Sequence, residues 1–470
     1  MATTIIQQPL YRSFPVGQDV IFTVANNLII TNPLFTRPKF VADVYISNGN
    51  PPSTSSNTDL IGTFKTTPNN SGVGMFDFRP IIESFVNPDN IGAEYSKYKS
   101  GTALTVSGEH PIHLTDQFSH NKNLMRYVVV RFKVEYINTT TGLLETVQPQ
   151  NSYTYQVFNG YLKHTDELVL GGLFNKSFGF NTDIFKLSNV SPAKFYTNAP
   201  MVQYANNVDY GTIAFSSESQ NKQSQIKRVI IKYYPITGVG STEYVDCNLA
   251  SGGFTPPNAQ IKLKTLYFGC FPGNLRNWST TAKTYLGLNN LDYYTVGIIN
   301  DSGVLISELL TINVKCPNLK GYEPIRLTWL NQWGAWDYYT FTMKSSKTIS
   351  TKGSTYQQLE GSWNEKTYKI DSFKGGKKSF RVNATEKITM NTDFVSESES
   401  EWFEELINSP EVYILEGFIK NDTVNSSLNK YVTPVRLTTS NYTKKTVAND
   451  KLMQYTFEVE KSKTLRTQAI

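Results

Sequence analysis

The segment Tyr127–Tyr136, YVVVRFKVEY, constrains the fold more than any other part of the chain. Val, Tyr and Phe favour strands, and the alternation in its second half has the period of a strand with one buried face. The run Val128–Val130 predicts a stretch buried on both faces. Such a strand needs neighbours, and similar composition predicts further strands at Val20–Val24, Phe40–Ser47, Lys227–Tyr234, Ile261–Phe268, Asp292–Ile299, Val412–Leu415, Val432–Thr438 and Met453–Val459.

The composition indicates the same fold class. Aromatic residues make up 13% of the 470-residue chain, led by 28 Tyr and 27 Phe, and Thr, Asn and Ser are abundant. This mixture favours strands joined by loops, and the length exceeds that of one ordinary domain. We therefore expect a mainly β protein. Two tandem β-sandwich (Ig-like) domains are predicted at 1–160 and 161–318, followed by a C-terminal β domain at 319–470 that carries one short helix.

The segment Thr392–Pro410, TDFVSESESEWFEELINSP, contains that helix, predicted near 398–408. Ser398 followed three residues later by Glu401 has the pattern of a capping box. Pro410 ends the helix because it excludes the preceding residue from helical geometry. One apolar stripe at helical spacing should face the core, formed by Trp402, Phe403, Leu406 and Ile407. A shorter helix is expected over about 81–86, since Pro80 fits a first helical turn.

Charge and cysteine usage exclude several classes of protein. The formal net charge is +6, with no dense Lys/Arg block, so no nucleic-acid partner is expected. Cys247, Cys270 and Cys316 are odd in number and widely spaced, which predicts neither a zinc site nor a disulfide framework. Met1–Pro15 lacks the features of a secretory leader, and no run of about 18 apolar residues predicts a membrane span.

Two groups of residues resemble sites for chemistry. His110 and His113, with Asp116 or His120, could ligate a metal, but their spacing matches no zinc pattern and a solvated loop is favoured. The acidic run Glu397–Glu405 could supply the carboxylate pair of a glycosidase, yet acids at a helix N-terminus suit the helix dipole without any chemistry. No nucleophile elbow, phosphate loop or dinucleotide fingerprint is present. We therefore expect no catalytic residues, no cofactor and no metal: the chain is predicted not to be an enzyme.

The segment Pro324–Phe341, PIRLTWLNQWGAWDYYTF, is the most distinctive motif, with three tryptophans in eight residues. Alternating aromatic positions flank Asn331–Asp337, which predicts a hairpin-like or bulged turn with an aromatic rim. A packing anchor in a core or subunit interface is favoured, because buried aromatic residues commonly serve as anchors; a stacking platform for sugars is the alternative. The candidate structural or interface residues are Arg326, Trp329, Asn331, Gly334, Trp336, Asp337, Tyr339, Phe341, Trp402 and Pro410.

The pattern R-x-x-W-L-N-x-x-G-x-x-D-x-Y-x-F, here Arg326 to Phe341, resembles a segment that recurs in virion proteins of tailed bacteriophages. These include phages that infect Bacteroidetes and the crAss-like group. The C-terminal segments 402–406, 409–413 and LMQYTFEVE (452–460) are similar to the same proteins, as is FDFRPII at 76–82.

The resemblance implies a tail structural protein: a hub, ring or adaptor subunit, assembled in the host cytoplasm and located in the virion tail. Its expected partners are other virion tail or neck proteins and further copies of itself in a ring or hub, with no nucleic-acid contact required. The polar loops Asn48–Thr58 and Pro235–Ser251 are interpreted as arms that reach a neighbour. The alternative function is a host-glycan-binding adhesin or fibre protein.

Overall fold

The computed structural model describes most of the chain, and half of the residues lie in strands against 11% in helices. The prediction of a mainly β protein is confirmed. The described residues are 3–48, 51–86, 96–99, 102–107, 112, 118–120, 124–172, 176–217, 226–246, 265–315, 321–362, 366–416, 432–439, 441–443 and 453–466.

The chain forms two compact units. The N-terminal unit comprises Met1–Lys315 together with Leu330–Asp337, and the C-terminal unit comprises Cys316–Trp329 together with Tyr338–Ile470. The motif around the three tryptophans is thus divided between the units. The division of residues 1–318 into two domains stays a prediction.

The first part of the N-terminal unit is built on the long strand that the sequence indicated. Its helices are α1 (Leu28–Thr31) and α2 (Arg79–Glu83). Its strands are β1 (Thr4–Gln7), β2 (Ser13–Pro15), β3 (Ile21–Ala25), β4 (Phe35–Ser47), β5 (Leu60–Thr66), β6 (Val73–Asp77), β7 (Ser96–Lys99), β8 (Thr102–Ser107), β9 (Phe118–His120), β10 (Met125–Asn138), β11 (Leu144–Thr146), β12 (Gln150–Asn151) and β13 (Tyr155–Phe158).

Most strands of this first part form two β-sheets that face each other. One has the order β1-β3-β6, and the other has the order β2-β13-β10-β4-β5, with β11 and β12 also on β10. Phe22 on β3 and Phe76 on β6 contact Phe132 on β10, with ring centroids 5.4 and 5.7 Å apart. Side chains from both inner faces therefore share one core, as in a β-sandwich. Val128–Val130 are all buried, as their sequence predicts.

The second part of the N-terminal unit adds two five-stranded sheets, with orders β16-β22-β21-β18-β19 and β17-β20-β9-β7-β8. The second of these joins strands from both sides of residue 160. The remaining strands are β14 (Leu168–Gly171), β15 (Ser177–Phe180), β16 (Val202–Asn206), β17 (Thr212–Ser216), β18 (Arg228–Pro235), β19 (Ser241–Asp246), β20 (Thr265–Gly269), β21 (Leu291–Ile299) and β22 (Leu310–Lys315).

This part also contains helices that were not predicted: α3 (Pro272–Trp278), α4 (Thr280–Gly287) and a 3₁₀ helix at Thr182–Phe185. The interpretation of Pro235–Ser251 as a loop is wrong, because β19 lies within it and pairs antiparallel with β18. Its residues Ser241–Asp246 alternate in burial like an ordinary strand.

The C-terminal unit has one large sheet with the order β24-β23-β29-β30-β31-β28-β25. Its strands are β23 (Ile325–Leu330), β24 (Trp336–Phe341), β25 (Ser345–Gln358), β26 (Gly361–Ser362), β27 (Lys369–Ile370), β28 (Gly376–Asn391), β29 (Val412–Leu415), β30 (Val432–Leu437) and β31 (Thr456–Lys461). Residues 330, 336 and 337 of β23 and β24 are counted with the N-terminal unit. Its helix is α5 (Glu397–Asn408). None of the helices in the described part of the chain is long and apolar enough to cross a bilayer.

The predicted helix near 398–408 is confirmed as α5, but its cap was assigned wrongly. Ser396, not Ser398, is the N-cap, and its side chain and that of Glu399 bond reciprocally to backbone N–H groups. The sequence contains two overlapping S-x-x-E patterns that local chemistry cannot distinguish. The stripe prediction holds for Trp402, Phe403 and Leu406, which are buried, whereas Ile407 is only partly buried.

Two further predictions about the helices differ from the structure. Glu405, the last residue of the acidic run that was expected to suit the helix dipole, is buried. The shorter helix predicted at 81–86 is α2, which begins earlier, at Arg79, with Pro80 in its first turn as expected.

Candidate functional site

The motif residues in the N-terminal unit form a compact loop, Asn331–Asp337, here called the tryptophan loop. Asn331 is buried, and its side-chain amide makes four hydrogen bonds. Its Oδ1 accepts from the backbone N–H groups of Trp333 (3.0 Å) and Ala335 (2.9 Å). Its Nδ2 donates to the carbonyl oxygen of Tyr196 (2.8 Å) and to Oδ1 of Asp337 (2.9 Å). This is the full capacity of an amide side chain, so the loop is held in one conformation.

The other side chains of the tryptophan loop are equally engaged. Asp337 accepts a hydrogen bond from Oγ1 of Thr197 at 2.7 Å. Trp333 donates from Nε1 to Oδ1 of Asn198 at 3.0 Å, and its ring centroid lies 5.1 Å from that of Phe185. The segment around residues 196–198 was not identified from the sequence, because nothing local links it to a loop about 135 residues later.

Gly334 occupies the tightest position of the tryptophan loop. Its φ is +74°, in the left-handed region that favours glycine, and a Cβ there would lie 2.1 Å from the carbonyl oxygen of Asn159. A glycine is required for both reasons. The sequence motif includes Gly334, but it does not indicate that Asn159 is the residue packed against it.

The motif residues of the C-terminal unit form an aromatic core between its sheet and α5. The ring of Trp329 lies 4.9 Å from that of Trp402, and Tyr339 contacts Phe403 at 4.8 Å, centroid to centroid. Phe341 continues the cluster, with its centroid 4.9 Å from that of Tyr339. Burial raises the pKa of the Tyr339 phenol, and nearby Glu399 and Asp393 raise it further. Residues of the segments 326–341 and 402–406 thus meet in one core.

Arg326 and Pro410 complete the set of predicted residues. Nη1 of Arg326 donates to Oγ1 of Thr340 at 2.8 Å, and its guanidinium carbon lies 5.3 Å from the centroid of the Tyr338 ring. Pro410 is exposed just beyond α5, and Ser409 before it is extended, with φ −71° and ψ 129°. Pro410 therefore ends the helix in the way its sequence position predicts.

The tryptophan side chains of the motif do not offer a sugar-stacking surface within their own units. Trp329, Trp333 and Trp336 are 0%, 7% and 4% exposed. Stacking on a sugar needs an open ring face, and these rings lie within packed side chains. The arrangement corresponds to packing anchors.

The described residues contain no cluster of three or more His, Cys, Asp or Glu side chains arranged for a metal ion. His110 and His113 lie outside the described residues. In the acidic run of α5, Glu399 is used for capping.

An exposed row of aromatic side chains lies on the sheet β16-β22-β21-β18-β19, where the sequence reading placed no site. Tyr204, Asn313, Tyr293 and Tyr234 are direct cross-strand neighbours on four adjacent strands. Tyr234 and Tyr293 stack, with ring centroids 4.5 Å apart and an interplanar angle of 13°. Tyr204 and Tyr234 are exposed, since the opposite face of the sheet carries the core. We call this set the tyrosine row.

A second exposed feature lies in the C-terminal unit: the β-arm, residues 345–391, formed mainly by β25 and β28. Fourteen residue pairs join these two strands in an antiparallel ribbon. β31 pairs with β28 only over Lys387–Asn391, so most of the ribbon has two strands. Nearly all side chains of β25 are exposed, and on β28 only Ile388 and Met390 are buried.

Comparisons with known proteins identify no family for this chain. No protein-family model matches it, and no curated protein matches it significantly. Among solved structures, E. coli alpha-2-macroglobulin in its native conformation is similar at 7% identity and a TM-score of 0.19. That similarity covers 83% of this chain but only 22% of the other chain, so this chain spans a small part of that protein's length. A similarity at this level carries no argument about fold or function.

Proposed function

We propose that the protein is a structural subunit of a larger assembly, namely a hub, ring or adaptor protein of a bacteriophage tail. The observation that carries the proposal is the β-arm. Two strands of 14 and 16 residues extend from the sheet with both faces largely exposed. A two-stranded ribbon is only marginally stable by itself in water, so an arm of this length is best explained by contacts outside its own unit.

The tryptophan loop and the aromatic core support the same proposal. Their aromatic and polar side chains are used to hold rigid positions rather than to surround a substrate. A subunit of a symmetric particle needs rigid units with projecting surfaces, because its neighbours must meet the same surface in every copy. The resemblance of Arg326–Phe341 to phage virion proteins gives the proposal its particular form.

The test uses purified phage particles from a lysate of the host that carries this chain. Mass spectrometry should find the chain at a constant ratio to the other tail proteins, and reconstruction should locate several copies in a closed ring or hub. Absence from purified particles would refute the assembly role. One asymmetric copy per particle would refute the ring.

The tyrosine row favours a second candidate function, glycan binding by an adhesin or fibre protein. Exposed tyrosines beside an amide side chain provide ring faces and hydrogen-bonding groups of the kind that hold sugars. The double variant Tyr204→Ala/Tyr234→Ala should then lose binding to host-surface glycans on an array. Tyr356→Ala on the β-arm is the matched control, because it removes an exposed tyrosine elsewhere. Absence of glycan binding by the unaltered chain would eliminate this candidate.

A further inference from the structure

Most of the chain's excess positive charge lies on the β-arm. Residues 345–391 contain nine Lys or Arg and four Asp or Glu, a formal charge of +5, against +6 for the whole chain. The remaining residues therefore carry only +1 in total. No single sequence segment reveals this imbalance, because the basic residues are spaced along two strands instead of forming one block.

Two charges at the base of the β-arm are neutralised within the C-terminal unit, and Lys374 pairs with Asp371, whereas three basic side chains farther along the ribbon are not paired with a carboxylate in the described part of the chain. Lys347 and Lys387 form ion pairs with Glu323 and Glu458, with N–O distances of 3.0 Å in both cases. Farther along the ribbon the exposed basic side chains are Lys352, Lys377 and Arg381. Within the part of the chain that the structure describes, no carboxylate lies within ion-pair distance of these three.

Apolar side chains are exposed along the same ribbon. Ile349 is 62% exposed and Phe373 is 74% exposed, and the rings of Tyr356 and Phe380 make an edge contact at 6.4 Å. Ile349 and Tyr356 lie on β25, which is about 45 Å long, whereas Phe380 lies on β28 and Phe373 just before it. Exposed apolar groups interspersed with positive charge are typical of a protein-binding surface, with anchors in the middle and charges at the rim.

We propose that the β-arm docks on an acidic surface of a different protein in the assembly. This inference rests on the proposed function and names the partner of the arm. The partner should offer carboxylates for Lys352, Lys377 and Arg381, and apolar hollows for the side chains between them.

A second copy of this chain does not fit the same surface. The rest of the chain has no acidic surplus to receive a charge of +5. Strand-to-strand pairing is also disfavoured at the free edge of β25, which carries Lys347 and Lys352, and by the bulge at Phe380 of β28, opposite Ser354 and Thr355. Lysines and bulges are devices that prevent pairing between edge strands.

Nucleic acid and membranes fit less well than an acidic protein. A phosphate backbone would neutralise the basic groups but would leave aliphatic side chains such as Ile349 and Val382 in water. A membrane interface accepts apolar groups to a depth of roughly 5–10 Å, whereas those of the β-arm are distributed along most of its length.

Zero-length carbodiimide cross-linking of purified particles tests the proposal, because this reagent joins a lysine amine to a carboxylate only when the two are in contact. Lys352 and Lys377 should form amide cross-links to Asp or Glu of another particle protein. Lys232 and Lys283, exposed on the N-terminal unit, serve as comparison lysines. Cross-links from the β-arm to a second copy of this chain would overturn the proposal, and so would β-arm lysines that stay free for acetylation in intact particles.

A charge-reversal variant provides the second measurement. Lys352→Glu/Lys377→Glu should reduce incorporation of the full chain into particles by about tenfold or more, since like charges across an interface disfavour association. Lys232→Glu/Lys283→Glu should be incorporated normally, and both variants should keep the melting temperature of the unaltered chain. Normal incorporation of the β-arm variant would overturn the inference, as would release of the chain by nuclease or detergent treatment. Absence of the unaltered chain from particles would overturn the proposed function as well.

Discussion

The side-chain amide of Asn331 donates a hydrogen bond to Oδ1 of Asp337 across the tryptophan loop, with a donor–acceptor distance of 2.9 Å. Both residues are buried, and each also bonds to the segment at Tyr196 and Thr197. The pair therefore closes the loop and attaches it to a distant part of the same unit. Its strength can be measured directly.

Asn331→Ala should lower the free energy of unfolding, because it leaves the Tyr196 carbonyl and two loop N–H groups without their partner. The expected loss is roughly 1–3 kcal/mol for each buried group left unpaired. Urea denaturation measures it. The control is Asn207→Ala, which removes an exposed amide bonded to Asn289 and should cost less than about 0.5 kcal/mol. Equal losses in the two variants would contradict the role of Asn331.

Gly334→Ala should be far more destabilising than Gly303→Ala. Both glycines have positive φ, +74° and +76°, so both substitutions carry the left-handed backbone cost of about 1–2 kcal/mol. Only at Gly334 would the new Cβ overlap a backbone atom, the carbonyl oxygen of Asn159; nothing lies within 4 Å at Gly303. Thermal melts of the two variants separate strain from overlap. Similar melting temperatures would show that the tryptophan loop can shift at position 334 to accommodate a Cβ.

Trp329→Ala should cost roughly 3–5 kcal/mol, as large aromatic truncations in cores do. Trp329 is fully buried against Trp402 in the C-terminal unit. Phe373→Ala on the β-arm is the matched control, because it removes an exposed ring from the same unit and should change stability by less than about 0.5 kcal/mol. Equilibrium unfolding compares them. A stable Trp329→Ala variant would reject the packing-anchor interpretation.

Ser396→Ala should destabilise the chain by about 1 kcal/mol, the usual contribution of a helix N-cap. Ser396 accepts the bond from the N–H of Glu399, while Ser398 lies inside the first turn of α5. Ser398→Ala is therefore the control, with an expected effect of a few tenths of a kcal/mol at most. Urea denaturation measures both losses. A larger loss for Ser398→Ala than for Ser396→Ala would show that Ser398 is the N-cap, as the sequence first indicated.

The features predicted correctly from the sequence are those with a strong local signal. The strand Tyr127–Tyr136, the helix around Trp402 and the stop at Pro410 each depend on periodicity or on one residue's geometry. Even so, the N-cap of that helix was predicted at Ser398 instead of Ser396, because overlapping S-x-x-E patterns are locally equivalent.

The β-arm and the tyrosine row were missed for a different reason. The strand SSKTISTKGSTYQQ has no buried face, so it lacks the alternation by which strands are recognised. The tyrosine row exists only because β16 and β18 become neighbours of the consecutive strands β22 and β21, which lie far from them in sequence. Pairing of this kind is not encoded in any single segment. The same holds for the attachment of Asn331 to Tyr196.

Glu308 should make the stability of the N-terminal unit depend on pH. Burial raises the pKa of its carboxyl group, although the hydrogen bond from the Phe195 N–H and the charge of Lys194 oppose that shift. The folded chain therefore holds this proton more tightly than the unfolded chain does. The favourable contribution is fully present below the unfolded pKa of about 4.3 and is lost as the pH rises through the higher folded pKa.

Glu308→Gln keeps an oxygen that can accept from Phe195 and removes the titration. The stability of Glu308→Gln relative to the unaltered chain should thus increase between pH 4 and about pH 7, as measured by urea denaturation at several pH values. A constant difference between Glu308→Gln and the unaltered chain at every pH would show that burial of Glu308 does not affect its titration.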